Sequence, residues 1–134
     1  MRSHNQQKIG GFTLVEVLVV MAIISLLASI AVPNYIRSRK RAQAGQVKTD
    51  LRMIDDAIQY YVIEHGKSDT DMFAMADLLP YAKAGSRLVA TGGKDILGNL
   101  IVLNPPLQLP RISPTTYAAL SDVAPNAYWS PYLP

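Results

Sequence analysis

The 134 residues contain no cysteine, so no disulfide can staple the chain and cysteine usage gives no indication of redox compartment. Histidine is scarce as well, with only His4 and His65. No Gly-x-Ser-x-Gly elbow, Gly-x-x-x-x-Gly-Lys phosphate loop or dinucleotide fingerprint is present. These absences argue against an enzyme. An excess of one charge is also missing: 13 Lys and Arg stand against 10 Asp and Glu, a formal +3. Two of the basic residues, Arg2 and Lys8, lie in the first eleven residues, and a chain beginning at Phe12 would carry only +1. The high pI is therefore no argument for a nucleic-acid partner, and none is expected. Nothing repeats internally, and no segment is low in complexity.

What the chain does have is concentrated in residues 10–35, GGFTLVEVLVVMAIISLLASIAVPNY. Phe12 to Val32 is 21 residues, 17 of them apolar. At about 1.5 Å per residue, a helix of that length matches a hydrocarbon core of roughly 30 Å. Glu16 is the one charge inside it. A carboxylate deep in a bilayer costs about 2.5–3.5 kcal/mol on insertion scales, so its presence needs a reason. One reason is local, a first-turn glutamate favoured by the helix dipole and snorkelling to the interface. The other is a cationic partner. Pro33 removes a backbone donor, which predicts a kink or local unwinding near Ile30 to Pro33. Ser25 and Ser29, among Ala22, Ala28 and Ala31, make a small-residue face on which helices can approach closely. Ser29-Ile30-Ala31 is also a small-x-small pattern, from which a conventional signal peptidase would release a soluble chain beginning at Val32.

The order of basic leader, glycine pair, phenylalanine and apolar helix with an early glutamate resembles the N-terminus of type IV pilins and of the pseudopilins of type II secretion systems. Gly11, Phe12, Thr13, Leu14, Glu16 and Pro33 carry the resemblance. It implies an α+β, pilin-like fold. Residues 1–11 would be a prepilin leader, 12–32 a transmembrane and polymerisation helix, 33–65 the soluble half of that helix, and 66–134 a small head of short helices and a few antiparallel strands. It also implies cleavage between Gly11 and Phe12 by a prepilin peptidase, N-methylation of Phe12, and assembly roles for Glu16 and Pro33. Glu16 would meet the α-amine of Phe12 on a neighbouring subunit. The implied partners are copies of the same chain in a helical filament, the peptidase, an assembly platform protein, other pseudopilins and the bacterial inner membrane. The head would lie in the periplasm and the assembled filament would span it. Many type IV pilins close a C-terminal loop with a disulfide, which this chain cannot form, so the comparison tilts towards major pseudopilins. Lys94-Asp95-Ile96-Leu97-Gly98-Asn99 looks like the Asp-Pro-Trp-Gly-Asn turn of their heads, with Ile96 and Leu97 replacing proline and tryptophan. A type IV pilus subunit for adhesion, motility or DNA uptake is the alternative. A secreted binding module or enzyme behind a conventional signal is the second.

Beyond Pro33 lie Arg37, Arg39, Lys40 and Arg41, more positive charge than the leader holds. The positive-inside rule would keep that flank in the cytoplasm, whereas the family resemblance places it outside. The run then reads as a surface for lipid phosphates or neighbouring subunits, or as a solvated helix face. Val47, Leu51, Ile54, Ile58 and Tyr61 follow with spacings of 4, 3, 4 and 3, an apolar stripe with Lys48, Asp50, Arg52, Asp55 and Asp56 mostly between. Gly45 is a soft spot, and Gly66 predicts that the helix ends near His65, giving it roughly 80 Å from Phe12. Thr70 or Asp71 would cap a short helix with Phe73, Ala76 and Leu79 facing inward, ended or kinked by Pro80. Leu100 to Leu103 reads as a strand stopped by Asn104-Pro105-Pro106. Ser113 and Pro114 would open a helix through Leu120, and Tyr128, Trp129 and Tyr132 would fold back on the head.

Metal chemistry has little support. Glu64, His65, Asp69 and Asp71 have loop spacing and no fixed geometry. Many major pseudopilins bind calcium through a C-terminal loop, but after Asp77 this chain offers only Asp95 and Asp122 as weak candidates, so no cofactor is expected. Asp55 and Asp56 are adjacent on a helix and point apart, which excludes an acid–base dyad. They read as surface residues able to pair with another subunit's basic run in a salt-dependent manner.

Overall fold

The computed structural model describes residues 10–67, 71, 73–104 and 108–134. The expectations placed on residues 1–9, on Asp69 and Thr70, and on Pro105 and Pro106 lie outside the described residues. The chain divides into two compact units, Met1–Ile36 and Arg37–Pro134.

One helix, α1, runs through Leu14–His65. In the first unit its side chains are exposed from Leu14 onwards, and the helix contains a stretch long and apolar enough to cross a membrane. The helix is continuous through Pro33, so of the kink or local unwinding expected there the unwinding is not seen, and it is likewise unbroken at Gly45. A proline deletes only its own bond to the carbonyl four residues back, and a helix of 52 residues retains the remainder. The termination at His65 is as expected, with Gly66 taking φ +58. A side chain disfavours that left-handed conformation, which makes glycine the natural stop.

In the second unit, α1 presents the anticipated stripe. Val47, Leu51, Ile54 and Ile58 are buried, joined by Ala44 and Ala57, and Tyr61 packs at the edge. The stripe meets Leu78, Leu88, Ile101, Ile112, Leu120, Trp129 and Tyr132. Each fully buried aliphatic side chain contributes about 1.5–3 kcal/mol, so this one face supplies most of the adhesion between α1 and the rest of the unit. The remaining elements are short: α2 (Met75–Leu78) running into a 3-10 turn (Leu79–Tyr81), α3 (Arg87–Ala90), α4 (Pro114–Leu120) and α5 (Asn126–Trp129). Helix α4 begins and ends where the Ser113-Pro114 signal places it.

Two expectations fail. Helix α2 starts after Ala74, not after Thr70 or Asp71, because Asp77 reaches back to accept a bond from the Ala74 amide at 2.8 Å. Its register therefore buries Leu78, while Ala76 is exposed and Leu79 and Phe73 are only half-buried. The second failure concerns the α+β class, since the described residues contain no strand. Leu100–Leu103 alternates as a strand would, with Ile101 buried between exposed Leu100 and Val102. It pairs only through isolated antiparallel bridges, Lys94 with Leu100 and Val102 with Arg111. Two different partners, each meeting it at one residue, do not build a ladder. The architecture described is a long apolar N-terminal helix followed by a smaller, mainly helical part.

The C-terminal segment closes that part. Trp129 is fully buried and its indole N–H donates to the Ala124 carbonyl at 3.0 Å. Tyr132 returns its carbonyl to the Ile112 amide at 3.0 Å and its hydroxyl to Asp55 at 3.3 Å. The aromatics thus fold back as the sequence suggests.

Candidate functional site

The residues that carry the N-terminal motif are assembled at the start of α1. Gly10, Gly11 and Phe12 precede the helix and are exposed, Phe12 at 88%. Thr13 stands at the cap position and Glu16 three residues on. The Thr13 amide donates to Glu16 Oε2 at 2.8 Å and its hydroxyl does so at 3.0 Å, while the Glu16 amide donates to Thr13 Oγ1 at 3.2 Å. This is a reciprocal capping box, satisfying two donors that a helix start would otherwise leave open. Gly10, Gly11, Phe12 and Glu16 line a shallow cleft of about 220 Å³. Reading Glu16 by its charge alone missed this second role, although the Thr-x-x-Glu spacing is the sequence signal for it.

Both helical contacts of the carboxylate fall on Oε2. Among the described residues, Oε1 has no protein partner. The side chain is therefore oriented by its own helix and keeps one oxygen for a second donor. Pro33 lies one helical stretch further along, inside α1. Ser25 donates to the Met21 carbonyl and Ser29 to the Leu26 carbonyl, each at 2.7 Å, so neither hydroxyl on the small-residue face needs an external partner.

The calcium candidates are separate and engaged elsewhere. Asp95 is buried; Oδ1 accepts from the Leu97 and Asn99 amides at 2.9 and 3.0 Å, and Oδ2 from the Thr116 hydroxyl. That carboxylate organises the Lys94–Asn99 turn and fastens it to α4. Asp122 is exposed and pairs with Lys40 at 2.9 Å; this bond holds its carboxyl below the usual carboxylate range. The described residues contain no group of three or more His, Asp or Glu side chains able to hold a metal ion.

Asp50 and Arg87 form a pair that the sequence did not reveal. Expected between the apolar positions, Asp50 is buried instead, bonded by Arg87 and by Gln46 at 3.0 Å. Burial pushes its carboxyl above the ordinary value, against Gln46 and Arg87, which pull it down. Of the adjacent acids, Asp56 is exposed as expected, whereas Asp55 is half-buried beneath Tyr132.

Comparison with known proteins bears directly on the first of these sites. Residues 6–32 match the model of the prokaryotic N-terminal methylation motif. The type II secretion system core protein G of Klebsiella pneumoniae is 32% identical over 89 residues, 65% of this chain and 64% of the relative. Core protein G of Escherichia coli K12 is 34% identical over 65 residues, 48% of this chain and 43% of the relative. The type IV major pilin protein PilA of Myxococcus xanthus is 41% identical over 54 residues, 40% of this chain and 24% of the relative. The chain thus spans less than two thirds of the length of each of these relatives. No solved structure matches it. The capped Gly-Phe-Thr-Leu-Val-Glu helix start thus lies within a matched N-terminal methylation motif, and the sequence is similar to the core protein G pseudopilins of type II secretion and, over a shorter stretch, to type IV major pilins.

Proposed function

We propose that this chain is a structural subunit of a pseudopilus filament in type II secretion, released for assembly by cleavage between Gly11 and Phe12 and N-methylation of Phe12. The observation that carries the reading is Glu16 at the head of a helix of membrane-spanning length, oriented through Oε2 and, among the described residues, without a partner at Oε1. The α-amine of Phe12 on a neighbouring subunit is the cation it meets. In a low-dielectric setting the pair is strong, because removing either partner leaves the other unpaired away from water. It fixes the axial register in which one subunit joins the next. Pro33 leaves the Ser29 carbonyl without its helical donor, giving the helix a point at which it can extend as neighbours pack.

The role is mechanical rather than catalytic. In it the subunit is held in the inner membrane by one pass, with the second unit in the periplasm, until the platform protein and other pseudopilins incorporate it. No cofactor is required. A calcium ion at Asp95 or Asp122 would have to displace Thr116, Leu97 and Asn99 from one, or Lys40 from the other. Similarity to core protein G over 89 residues supports the secretion reading, and similarity to PilA supports the second reading, a type IV pilus subunit.

Intact mass and N-terminal sequencing of the chain from membranes of a host with and without prepilin peptidase test the first step. An N-methylated chain beginning at Phe12, lost without the peptidase, is the expected result. A chain beginning at Val32 or at Met1 in both hosts would overturn the filament reading. Long surface fibres would select the pilus over the pseudopilus.

A further inference from the structure

We infer that Arg37, Arg39 and Arg41 form a docking surface for the phosphates of anionic phospholipid headgroups, which holds the subunit at the membrane before assembly. Between Glu16 and Asp50 the sequence has no acidic residue, yet it has five basic ones, Arg37, Arg39, Lys40, Arg41 and Lys48. Two of the five are engaged inside the second unit: Lys40 pairs with Asp122, and Lys48 donates to the Tyr128 carbonyl. The three arginines are exposed, and among the described residues none makes a direct ion pair, although Arg37 is near enough to Asp122 to help hold its carboxyl below the usual range beside Lys40. They follow the last residue of the apolar run, Val32, by five to nine positions, about 7–14 Å along a helix. The interfacial layer beyond a 30 Å core is roughly 5–7 Å thick on each side, and long basic side chains bend back towards it. A guanidinium also matches phosphate geometry with two parallel donors.

The competing occupant is a carboxylate surface on a second copy, and the structure offers little of it. Among the described residues Asp50 and Asp95 are buried, Glu16 and Asp77 cap helices, Asp55 takes the Tyr132 hydroxyl and Asp122 already holds Lys40, which leaves Asp56 as an exposed carboxylate, a single charge against three arginines. Glu64 accepts from Tyr81, whose hydroxyl it raises to about 12. Lipid phosphate, abundant at the right depth, is the better complement.

The inference rests on the membrane placement of the apolar helix proposed above, but not on filament assembly. In the test, the full-length chain in neutral detergent is titrated with phosphatidylglycerol or phosphatidylcholine, and bound lipid is counted by native mass spectrometry. Phosphatidylglycerol should be retained preferentially, and less so at high salt. Each arginine near a lipid surface contributes about fivefold, so R37Q/R39Q/R41Q should lose up to roughly a hundredfold of that preference while Lys83→Gln retains it. Undiminished preference in the triple variant overturns the proposal. So does full competition by millimolar inorganic phosphate, which would mark a free-anion site, or triple-variant loss of self-association when the parent shows no lipid preference. Carbonate extraction of membranes separates the two readings: the triple variant should stay in the membrane like the parent, and release of both chains would fault the span itself.

Discussion

Glu16 caps its own helix and, in the proposed function, also pairs with a neighbouring subunit, and the two roles can be separated. Glutamine completes a capping box as glutamate does, but carries no charge for an amine. Glu16→Gln should therefore retain helix initiation and processing yet assemble as poorly as Glu16→Ala. Filament yield and N-terminal sequencing of both variants check this. Normal filaments from Glu16→Gln would show that the cap, rather than the charge pair, is what assembly requires. Asp50 poses a different question, because its carboxyl is buried and its folded pKa lies above its ordinary value of 3.8. Between those two values the folded chain keeps a proton that the unfolded chain has released, so stability falls as pH rises through the folded value. Asp50→Asn should flatten that slope in a series of thermal unfolding midpoints across pH. Arg87→Ala should cost about 1–3 kcal/mol at neutral pH, by stripping a partner from a buried carboxylate, and should extend the slope upwards. The figure is below that for a fully buried pair because the Arg87 side chain is 34% exposed. A neutral effect of Arg87→Ala would show that Gln46 alone suffices.

The elements differ in how far the sequence discloses them. Helix α1 was legible because its apolar spacing and the glycine after it act locally, and α4 because Ser113-Pro114 is a local start signal. The region from residue 71 to 111 was less legible, since side chains far apart in sequence decide its form. Asp77 sets the start of α2, Thr116 ties down Asp95, and Arg87 crosses to Asp50. Apolar alternation at Leu100–Leu103 states which residues are inside, but a strand also needs a partner of matching length, which no local pattern specifies. The turns there provide a paired test. Gly93 and Gly98 take φ +87 and +86, so alanine at either costs about 1–2 kcal/mol for the left-handed conformation. A side chain at Gly98 meets open space, whereas a Cβ on Gly93 would lie 2.3 Å from Met75 Cγ. Gly93→Ala should therefore destabilise the chain more than Gly98→Ala in chemical unfolding. Equal losses would mean that the long Met75 side chain moves aside without cost.

At the scale of the whole molecule, the two units differ in where their apolar side chains go. Among the described residues, every buried one lies between Ala44 and Tyr132, and Met1–Ile36 contributes none. The apolar face of α1 from Ala44 onwards belongs to the second unit's own core, while the described side chains before Arg37 are exposed, and in the proposed function lipid or other helices cover them. A chain beginning at Arg37 should consequently remain soluble, unfold cooperatively and keep the helical signal of its elements, while losing membrane retention and assembly together. Within it, Trp129→Ala should cost about 3–5 kcal/mol, because it empties the centre of the core and orphans the Ala124 carbonyl. Circular dichroism and urea unfolding of the two shortened chains provide the check. A molten or aggregated parent would mean that the first unit is needed for folding itself. The early glutamate would then have to be judged as a folding residue before it could be judged as an assembly residue.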